Sequence, residues 1–297
     1  MALCCRLPSE AMPVSRHIPT SRRRLSIALA AGGLVFASLG LATAAEAPSP
    51  PTTDPLLGAR VQLKAIWRGS RVVPRRMPIL VMAGHADSQN MQGAGTSGAA
   101  VDQYGARPMN PRMRDELFWN FAVRDAIVQE GRRRGLNIIP YTPPALTIRN
   151  GNHPSTNWSV GRTHSERGGY AFEIHFDAYG KDGYGSGLIP AIRRHPTTID
   201  ESLAASFGRY PINFRGGLGA PRRGISILEI GKLEGNLEQR LRSPQTRQAT
   251  LKAIARRVTD AIDSSLPREN QASVNRLPEA VDNALPGTGH QTSSEDG

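Results

Sequence analysis

The stretch FEIHFDAYG, Phe172–Gly180, alternates apolar and polar side chains with a period of two. Its apolar residues face one side of a strand, whereas Glu173, His175 and Asp177 face the other. The pattern is typical of a half-buried strand with a wet face, and also of a strand whose end enters an active site. The remaining strands and helices of the chain decide between these interpretations.

Further apolar runs of strand length alternate with helical patterns. The runs that predict buried parallel strands are Pro78–Gly84, Leu136–Tyr141, Tyr170–Phe176 and Ile225–Gly231. Helical spacing covers Arg114–Arg134 and Gln245–Leu266, the second stopped by Pro267. We therefore predict an α/β fold: a single domain with a mostly parallel twisted sheet, helices on both faces and an active site at the carboxyl edge of the strands.

The N-terminal part has the layout of an export signal over residues 1–45. Arg22–Arg24 precede an uncharged run, Leu25–Ala45, that ends in small residues. The run is long for a cleaved signal, so an uncleaved membrane anchor is the alternative. The segment SRRRL also resembles a twin-arginine signal. These features predict export to the periplasm or cell envelope, with membrane attachment only through this segment if it stays uncleaved.

Composition divides the rest of the chain. Residues 46–58 form a Pro-rich linker, residues 59–266 have the size of one domain, and residues 267–297 are predicted to be disordered. Both cysteines, Cys4 and Cys5, lie in the signal, so disulfides are excluded from the exported part and a metal site must use histidines and carboxylates.

The charge favours acidic partners. The chain of 297 residues carries a net charge of +12, and removal of residues 1–45, with five arginines and one glutamate, leaves about +8. Nucleic acid, anionic lipid and anionic cell-wall polymers all fit this charge. The export signal and the 5% content of aromatic residues disfavour nucleic acid.

Ionisable residues occur where the predicted strands end. His85, His175 and Glu229 lie at or near such ends, and Glu116 opens the first long helix after a Gly-rich loop. Two histidines and one carboxylate with an open fourth position form a catalytic zinc site, and a second carboxylate then serves as base. Asp115 competes with Glu116 for the helix-start position.

Each of these residues also has a structural interpretation. A strand-end histidine is more often a hydrogen-bonded structural residue, and an acid in a first helical turn complements the helix dipole. Glu229 is harder to explain in that way, because a carboxylate within ISILEIG is costly to bury without a partner.

At these positions the sequence resembles the zinc-dependent N-acetylmuramoyl-L-alanine amidases of bacterial cell walls. That family has a strand running into G-H, a helix beginning E-x-x-x-N, a strand ending S-I-H-x-N and a strand P-x-x-L-x-E-x-G-F. The corresponding segments here occur in the same order, as Gly84-His85, Glu116 to Asn120, Glu173 to Asp177 and Ile227 to Gly231. The resemblance extends over roughly residues 77–265.

The resemblance implies a role for each site residue. His85, Glu116 and His175 would ligate Zn²⁺. Glu229 would deprotonate the attacking water and later protonate the leaving amine. The bond cleaved would join N-acetylmuramic acid to L-alanine of the stem peptide in peptidoglycan, with an activator protein as a further partner.

Three residues are expected around this site as substrate or outer contacts: Asn120, Asp177 and Lys232. The sequence departs from the family pattern at Ala86-Asp87, where the family has glycines, at Asp177, where it has asparagine, and at Lys232, where it has phenylalanine. These departures leave two alternatives open: an amidase-like wall-binding protein that has lost catalysis, and another zinc amidohydrolase acting on a small acylated amino acid.

Two features stay without an assigned role. Glu173, if buried, needs a partner such as Arg167 or Lys232. The arginine-rich segment with Arg215, Arg222 and Arg223 is interpreted as a solvated loop, with contact to stem-peptide carboxylates or anionic wall polymers as the alternative.

Overall fold

The structure is a computed structural model that describes residues 53–268. The predicted export signal, residues 46–52 of the linker and residues 269–297 of the tail lie outside this range. No helix within the described range is long and apolar enough to cross a membrane.

Seven strands and six helices make up the described part of the chain. The strands are β1 (Thr53–Asp54), β2 (Gly58–Ala59), β3 (Ile79–Ala83), β4 (Ile138–Tyr141), β5 (Tyr170–Asp177), β6 (Gly187–Ile189) and β7 (Ser226–Lys232). The helices are α1 (Ala99–Asp102), α2 (Asp115–Arg133), α3 (Asn157–Glu166), α4 (Thr198–Phe207), α5 (Gly235–Arg242) and α6 (Pro244–Ser265). Three single turns of 3₁₀ helix lie at Gly180–Asp182, Phe214–Gly216 and Pro221–Arg223.

Five of the strands form one sheet in the order β4-β3-β5-β7-β6. The pairs β3/β4, β3/β5 and β5/β7 are parallel, and the edge strand β6 is antiparallel to β7. The mostly parallel α/β sheet predicted from the sequence is confirmed. Strand β5 lies at its centre, so its carboxyl end is flanked on both sides by the ends of β3 and β7.

The alternation in β5 separates two cores. Its apolar residues Phe172, Ile174 and Phe176 belong to the larger core, which α2, α4 and α6 help to build. Ala171 belongs to a smaller core on the other face, against which Val160 of α3 packs. Helices therefore cover both faces, as predicted, and the polar residues of β5 share the side with the thinner cover.

The folded domain begins before residue 59, the boundary that composition predicts. The carboxylate of Asp54 accepts the N–H groups of Leu56 and Leu57 at 2.9 and 3.0 Å and lies 2.7 Å from Arg257 of α6. Leu57 is 1% exposed in the larger core. A side-chain turn and one buried leucine thus anchor residues that Pro-rich composition assigns to a linker.

Candidate metal centre

The sheet brings the four predicted site residues to one edge. His85 follows β3, His175 lies near the end of β5, and Glu229 in β7 is the registered neighbour of His175. Glu116 lies in the first turn of α2. Because the three strands are parallel neighbours, residues distant in sequence meet beyond their carboxyl ends.

His85, Glu116 and His175 converge as a ligand set. One ligand atom from each residue lies within 4.8 Å of the other two. Oε1 of Glu116 is 3.2 Å from Nε2 of His85 and 3.3 Å from Nδ1 of His175. Two imidazole nitrogens and one carboxylate oxygen suit a catalytic zinc ion that keeps a fourth position open.

Each of these three side chains is also held at its far end. Nδ1 of His85 lies 3.5 Å from Oγ of Ser88. Oε2 of Glu116 accepts the N–H of Thr96 at 2.8 Å. Nε2 of His175 lies 3.3 Å from Oε2 of Glu173. Partners of this kind orient metal ligands and fix which histidine nitrogen faces the metal. The three donors and their partners therefore fit a zinc ion.

Close packing confines the second histidine. A Cβ atom added to Gly84 would lie 2.2 Å from the ring of His175, so only glycine lets the end of β3 approach this ring. The next residue, His85, has a φ of 63°, a left-handed conformation that is strained for a residue other than glycine. The strain is located at the candidate metal centre itself.

Gln89 is a site residue that the sequence reasoning missed. It is 2% exposed, and its amide group donates to the carbonyls of His85 and Ala94 at 3.1 and 3.2 Å. Its side-chain oxygen accepts the N–H of Arg114, immediately before α2, at 2.9 Å. One buried glutamine thus ties together the His85 turn, the Gly-rich loop and the helix that carries Glu116. A polar residue in a loop carries no periodic signal that would have revealed this.

The departure at Asp87 also has a structural role. Its carboxylate accepts the N–H of Asn157, the first residue of α3, at 2.7 Å. The side chain of Asn157 donates to the carbonyl of Ala83 at 2.7 Å. Asp87 and Asn157 together thus fix the start of α3 against the end of β3.

Asn120 lies behind the site. Its side-chain amide donates to the carbonyl of Gly84 at 3.1 Å, and the residue is fully buried. It therefore positions the turn that carries His85.

Asp177 is buried and organises the loop after β5. Its oxygens accept N–H groups from Ala178, Tyr184 and Gly185, and the hydroxyl of Tyr210 at 3.1 Å. Its carboxylate is occupied by these contacts, which shape the wall of the site.

Lys232 and Glu173 do not pair with each other, which was one of the pairings considered from the sequence. The ammonium group of Lys232 lies 2.6 Å from Glu234, so a neighbouring carboxylate balances its charge. Glu173 is 3% exposed and contacts His175 in place of Arg167 or Lys232.

Asp115, the competitor of Glu116, is paired with Arg242 and accepts the N–H of Met109 at 2.7 Å, and so it is not one of the converging ligands.

Glu229 is a buried carboxylate whose charged form is disfavoured. Burial is the main cause that raises its pKa to about 8, and the charge of Asp177 adds to this shift. Within residues 53–268, its Oε2 is buried without a hydrogen-bond partner. An unsatisfied buried carboxylate oxygen beside a ligand set is available for a proton that belongs to a substrate or a water.

The ligands themselves are strongly coupled. Burial disfavours the charged forms of both Glu116 and His175, yet their mutual contact outweighs it. The histidines hold the pKa of Glu116 below its usual range, and hydrogen bonds to Glu116 and Glu173 hold the pKa of His175 well above its usual range. A metal ion would therefore displace a proton from His175 on binding.

The arginine-rich segment contributes a positive charge that acts on Glu229. Arg215 lowers the pKa of Glu229 and lies over the rings of Phe214 and Tyr184, 5.0 and 5.7 Å from their centres. Arg223 lies 4.5 Å from the ring centre of Trp158. The side chains of both arginines also donate to loop oxygens. A charge run on a loop indicates cations, but only the fold shows which of them acts on Glu229.

No family model matches the chain, and no curated protein matches it. Solved structures similar to it include Ami1, an N-acetylmuramyl-L-alanine amidase from Mycobacterium abscessus, at 18% identity over 64% of this chain and 99% of that one, with a TM-score of 0.41. The catalytic domain of CwlV, an N-acetylmuramoyl-L-alanine amidase from Bacillus (Paenibacillus) polymyxa, is 15% identical over 63% of this chain and 97% of its own, with a TM-score of 0.41.

The CwlD amidase from Clostridioides difficile, solved in complex with the GerS lipoprotein, is 16% identical over 67% of this chain and 100% of its own, with a TM-score of 0.42. These three structures are named as amidases, the activity of the family that the four motifs resemble.

Proposed function

We propose that this protein is a zinc-dependent amidase that hydrolyses the bond between N-acetylmuramic acid and L-alanine of the stem peptide in peptidoglycan. The observation that carries the proposal is the convergence of His85, Glu116 and His175 within 4.8 Å, beside Glu229 on the neighbouring strand. Two histidines, one carboxylate and a separate base are the parts that metal-assisted amide hydrolysis requires.

His85, Glu116 and His175 would hold the zinc ion, which when bound supplies a Lewis acid that polarises the amide carbonyl. Glu229 removes a proton from the attacking water through its unpaired carboxylate oxygen. The same group then returns a proton to the leaving amine of L-alanine. Burial disfavours the charged carboxylate, so Glu229 takes up a proton more readily than an exposed glutamate does and then holds it for the leaving amine.

The residues around Glu229 suit the binding of an extended anionic substrate. Arg215, whose charge acts on Glu229, is stacked on Phe214 and Tyr184, and Tyr184 is 43% exposed. Aromatic faces and guanidinium groups suit sugar rings and carboxylates, respectively. We infer that this rim contacts the glycan or the stem peptide of peptidoglycan.

Export to the periplasm or cell envelope is part of the same proposal, because the substrate lies outside the cytoplasmic membrane. The signal layout of residues 1–45 and the absence of cysteine after Cys5 support it. An activator protein is a further proposed partner. The test of localisation is fractionation of cells producing the tagged full chain, with and without residues 1–45.

Two paired measurements on the wild-type protein test the function. Metal analysis is expected to find about one zinc per chain, and digestion of intact sacculi is expected to release stem peptides with a free L-alanine amine, identified by mass. Chelation should abolish this release, and added zinc should restore it. Full activity in strong chelator without bound metal would contradict the proposal.

The outcomes also separate the alternatives. Binding of the zinc-loaded protein to sacculi without any turnover would indicate an amidase-like wall-binding protein. Hydrolysis of small acylated amino acids with no release from sacculi would indicate another zinc amidohydrolase.

A further inference from the structure

Glu173 is the one buried acid near the site to which the sequence assigns no role. It lies in the central strand β5, is 3% exposed, and shares a face with His175 two residues later. A buried carboxylate without a partner is costly, so its presence in the middle of the sheet requires a contact that repays this cost.

That contact is the side of His175 that faces away from the ligand set. Oε2 of Glu173 lies 3.3 Å from Nε2 of His175, while Nδ1 of the same ring lies 3.3 Å from Glu116. Among the described residues, the His175 ring is the group within ion-pair distance of Glu173. Each nitrogen of the ring therefore has a separate acidic neighbour.

The geometry fixes how the ring is used. An N–H at Nε2 that donates to Glu173 leaves Nδ1 as the nitrogen with a free lone pair, directed at the ligand set. His85 is arranged in the opposite sense, because its Nε2 faces Glu116 and its Nδ1 lies beside Ser88. The two histidines thus present different nitrogens to the same centre.

We propose that Glu173 is a positioning residue that accepts the Nε2 proton of His175 and thereby holds the ring with Nδ1 towards the metal. The inference rests on the metal site of the proposed function. A carboxylate behind a metal-binding histidine sets the ring orientation and raises the basicity of the bound nitrogen, and its loss typically weakens metal binding by about 10–100-fold.

The packing of the ring gives Glu173 a task that sterics alone do not perform. Gly84 limits the translation of the His175 ring, since a Cβ there would lie 2.2 Å from it. A half-turn of the imidazole exchanges each nitrogen with a ring carbon of similar size, which steric contact does not distinguish, whereas a hydrogen bond to a carboxylate does. Close packing at Gly84 and the acceptor at Glu173 therefore fix position and orientation separately.

The test is zinc affinity of the purified full chain, measured by competition with a chromophoric chelator. We expect Glu173→Ala to weaken zinc binding by about 10–100-fold and Glu173→Gln to weaken it less, because the amide oxygen still accepts the Nε2 proton. Glu166→Gln is the matched control: it removes one negative charge at an exposed position of α3 and should leave the affinity unchanged.

A second readout reports the ring itself. In the zinc-loaded wild type, ¹⁵N-detected NMR of the histidine side chains is expected to show His175 bound through Nδ1, with a slowly exchanging proton on Nε2. Glu173→Gln should retain that proton, and Glu173→Ala should let it exchange rapidly. A buried acid with a purely structural role would lower stability without changing this signature.

The outcomes separate the two proposals. If wild type binds zinc and Glu173→Ala binds it equally well, the role of Glu173 is contradicted and the metal site stands. If wild type binds no zinc, both are contradicted. Should Glu173→Ala fail to fold, the spectrum of the zinc-loaded wild type decides the matter: His175 bound through Nε2, or an Nε2 proton that exchanges rapidly, would overturn the inference, because Glu173 would then not hold that proton.

Discussion

A buried carboxylate lies at each end of the β5/β7 pair, that of Asp200 in α4 at the amino ends and that of Glu229 in β7 at the carboxyl ends, and the two differ in how completely their oxygens are paired. At the amino ends, Asp200 accepts hydrogen bonds from Tyr170 at 2.8 Å, Ser226 at 2.7 Å and Arg194 at 2.6 Å. It also caps α4 by accepting the N–H of Thr197 at 2.7 Å. At the carboxyl ends, Glu229 has a buried oxygen without a partner among the described residues.

The pKa shifts of the two acids reflect this difference. Burial disfavours ionised Asp200, but Arg194 and the hydrogen bonds outweigh it and lower its pKa. Burial of Glu229 is only partly offset by the charges of His175 and Arg215, and its pKa rises to about 8. An acid whose oxygens are all hydrogen-bonded stabilises the fold. An acid with an unpaired oxygen is still able to accept a proton.

The largest expected effect is on catalysis. Glu229→Gln should lower amide hydrolysis by about 10²–10⁴-fold, because the amide cannot take a proton from water. Zinc content should stay at the wild-type level, since Glu229 is not among the converging ligands. Release of stem peptides from sacculi and metal analysis of the same sample measure both. Glu166→Gln serves as control, and an active Glu229→Gln protein would remove Glu229 from the mechanism.

A substitution of Asp200, the acid with a full set of partners, should lower stability instead of activity. Asp200→Asn leaves the guanidinium of Arg194 buried without its charge partner, and we expect a loss of about 3–5 kcal/mol in the free energy of unfolding. Urea unfolding measures this, with Asp260→Asn as a control at an exposed ion pair. The cost should shrink as the pH falls through the lowered pKa of Asp200, because protonation removes the same interaction in wild type. A pH-independent cost would contradict the assignment.

The pH dependence of Glu229 should have the opposite sign. Its folded pKa of about 8 lies above the usual value of 4.5, so the folded state retains a proton that the unfolded state loses between these values. Metal-free Glu229→Gln should match wild type near pH 4 and exceed its stability by on the order of 5 kcal/mol above pH 8, because the shift from 4.5 to about 8 counts about 1.36 kcal/mol per pKa unit. Chemical unfolding at pH 4, 6 and 9 gives the comparison. Equal stability of the two proteins at pH 9 would show that the pKa of Glu229 is not raised.

The smallest effect concerns the rim. Arg215→Gln removes a cation that lowers the pKa of Glu229, so the rise of activity with pH should shift upward by about 0.2–0.5 units. The shift should shrink in high salt. Arg222→Gln is the matched control, because that exposed arginine lies in the same segment and donates to Gly216. Identical profiles for both variants would show that the field of Arg215 is negligible.

Strong periodicity explains which parts of the fold were predictable. Strands β3, β4, β5 and β7 and helices α2 and α6 follow apolar patterns and lie within two residues of their predicted bounds at every end. The edge strand β6 and helix α3 were missed, because the first has three residues and the second has a mostly polar sequence. Such short or polar elements are specified by their neighbours.

The same division applies to the candidate site. His85, Glu116, His175 and Glu229 were found from their positions at strand ends and a helix start. Gln89 and the pairing of Glu173 with His175 were missed. Their partners are backbone carbonyls and a ring nitrogen whose positions depend on how the chain folds back on itself.

The sequence by itself determined the α/β alternation and the four chemical groups that meet at one edge of the sheet, and it predicts an export signal over residues 1–45. These follow from local hydrophobic period and residue type, which a linear chain carries in full. Only the tertiary structure decided that Glu173 contacts His175, that Lys232 is paired with Glu234, and that Glu229 keeps an oxygen without a partner. Burial and hydrogen-bond geometry depend on distances between segments far apart in sequence, and those distances exist only once the chain is folded.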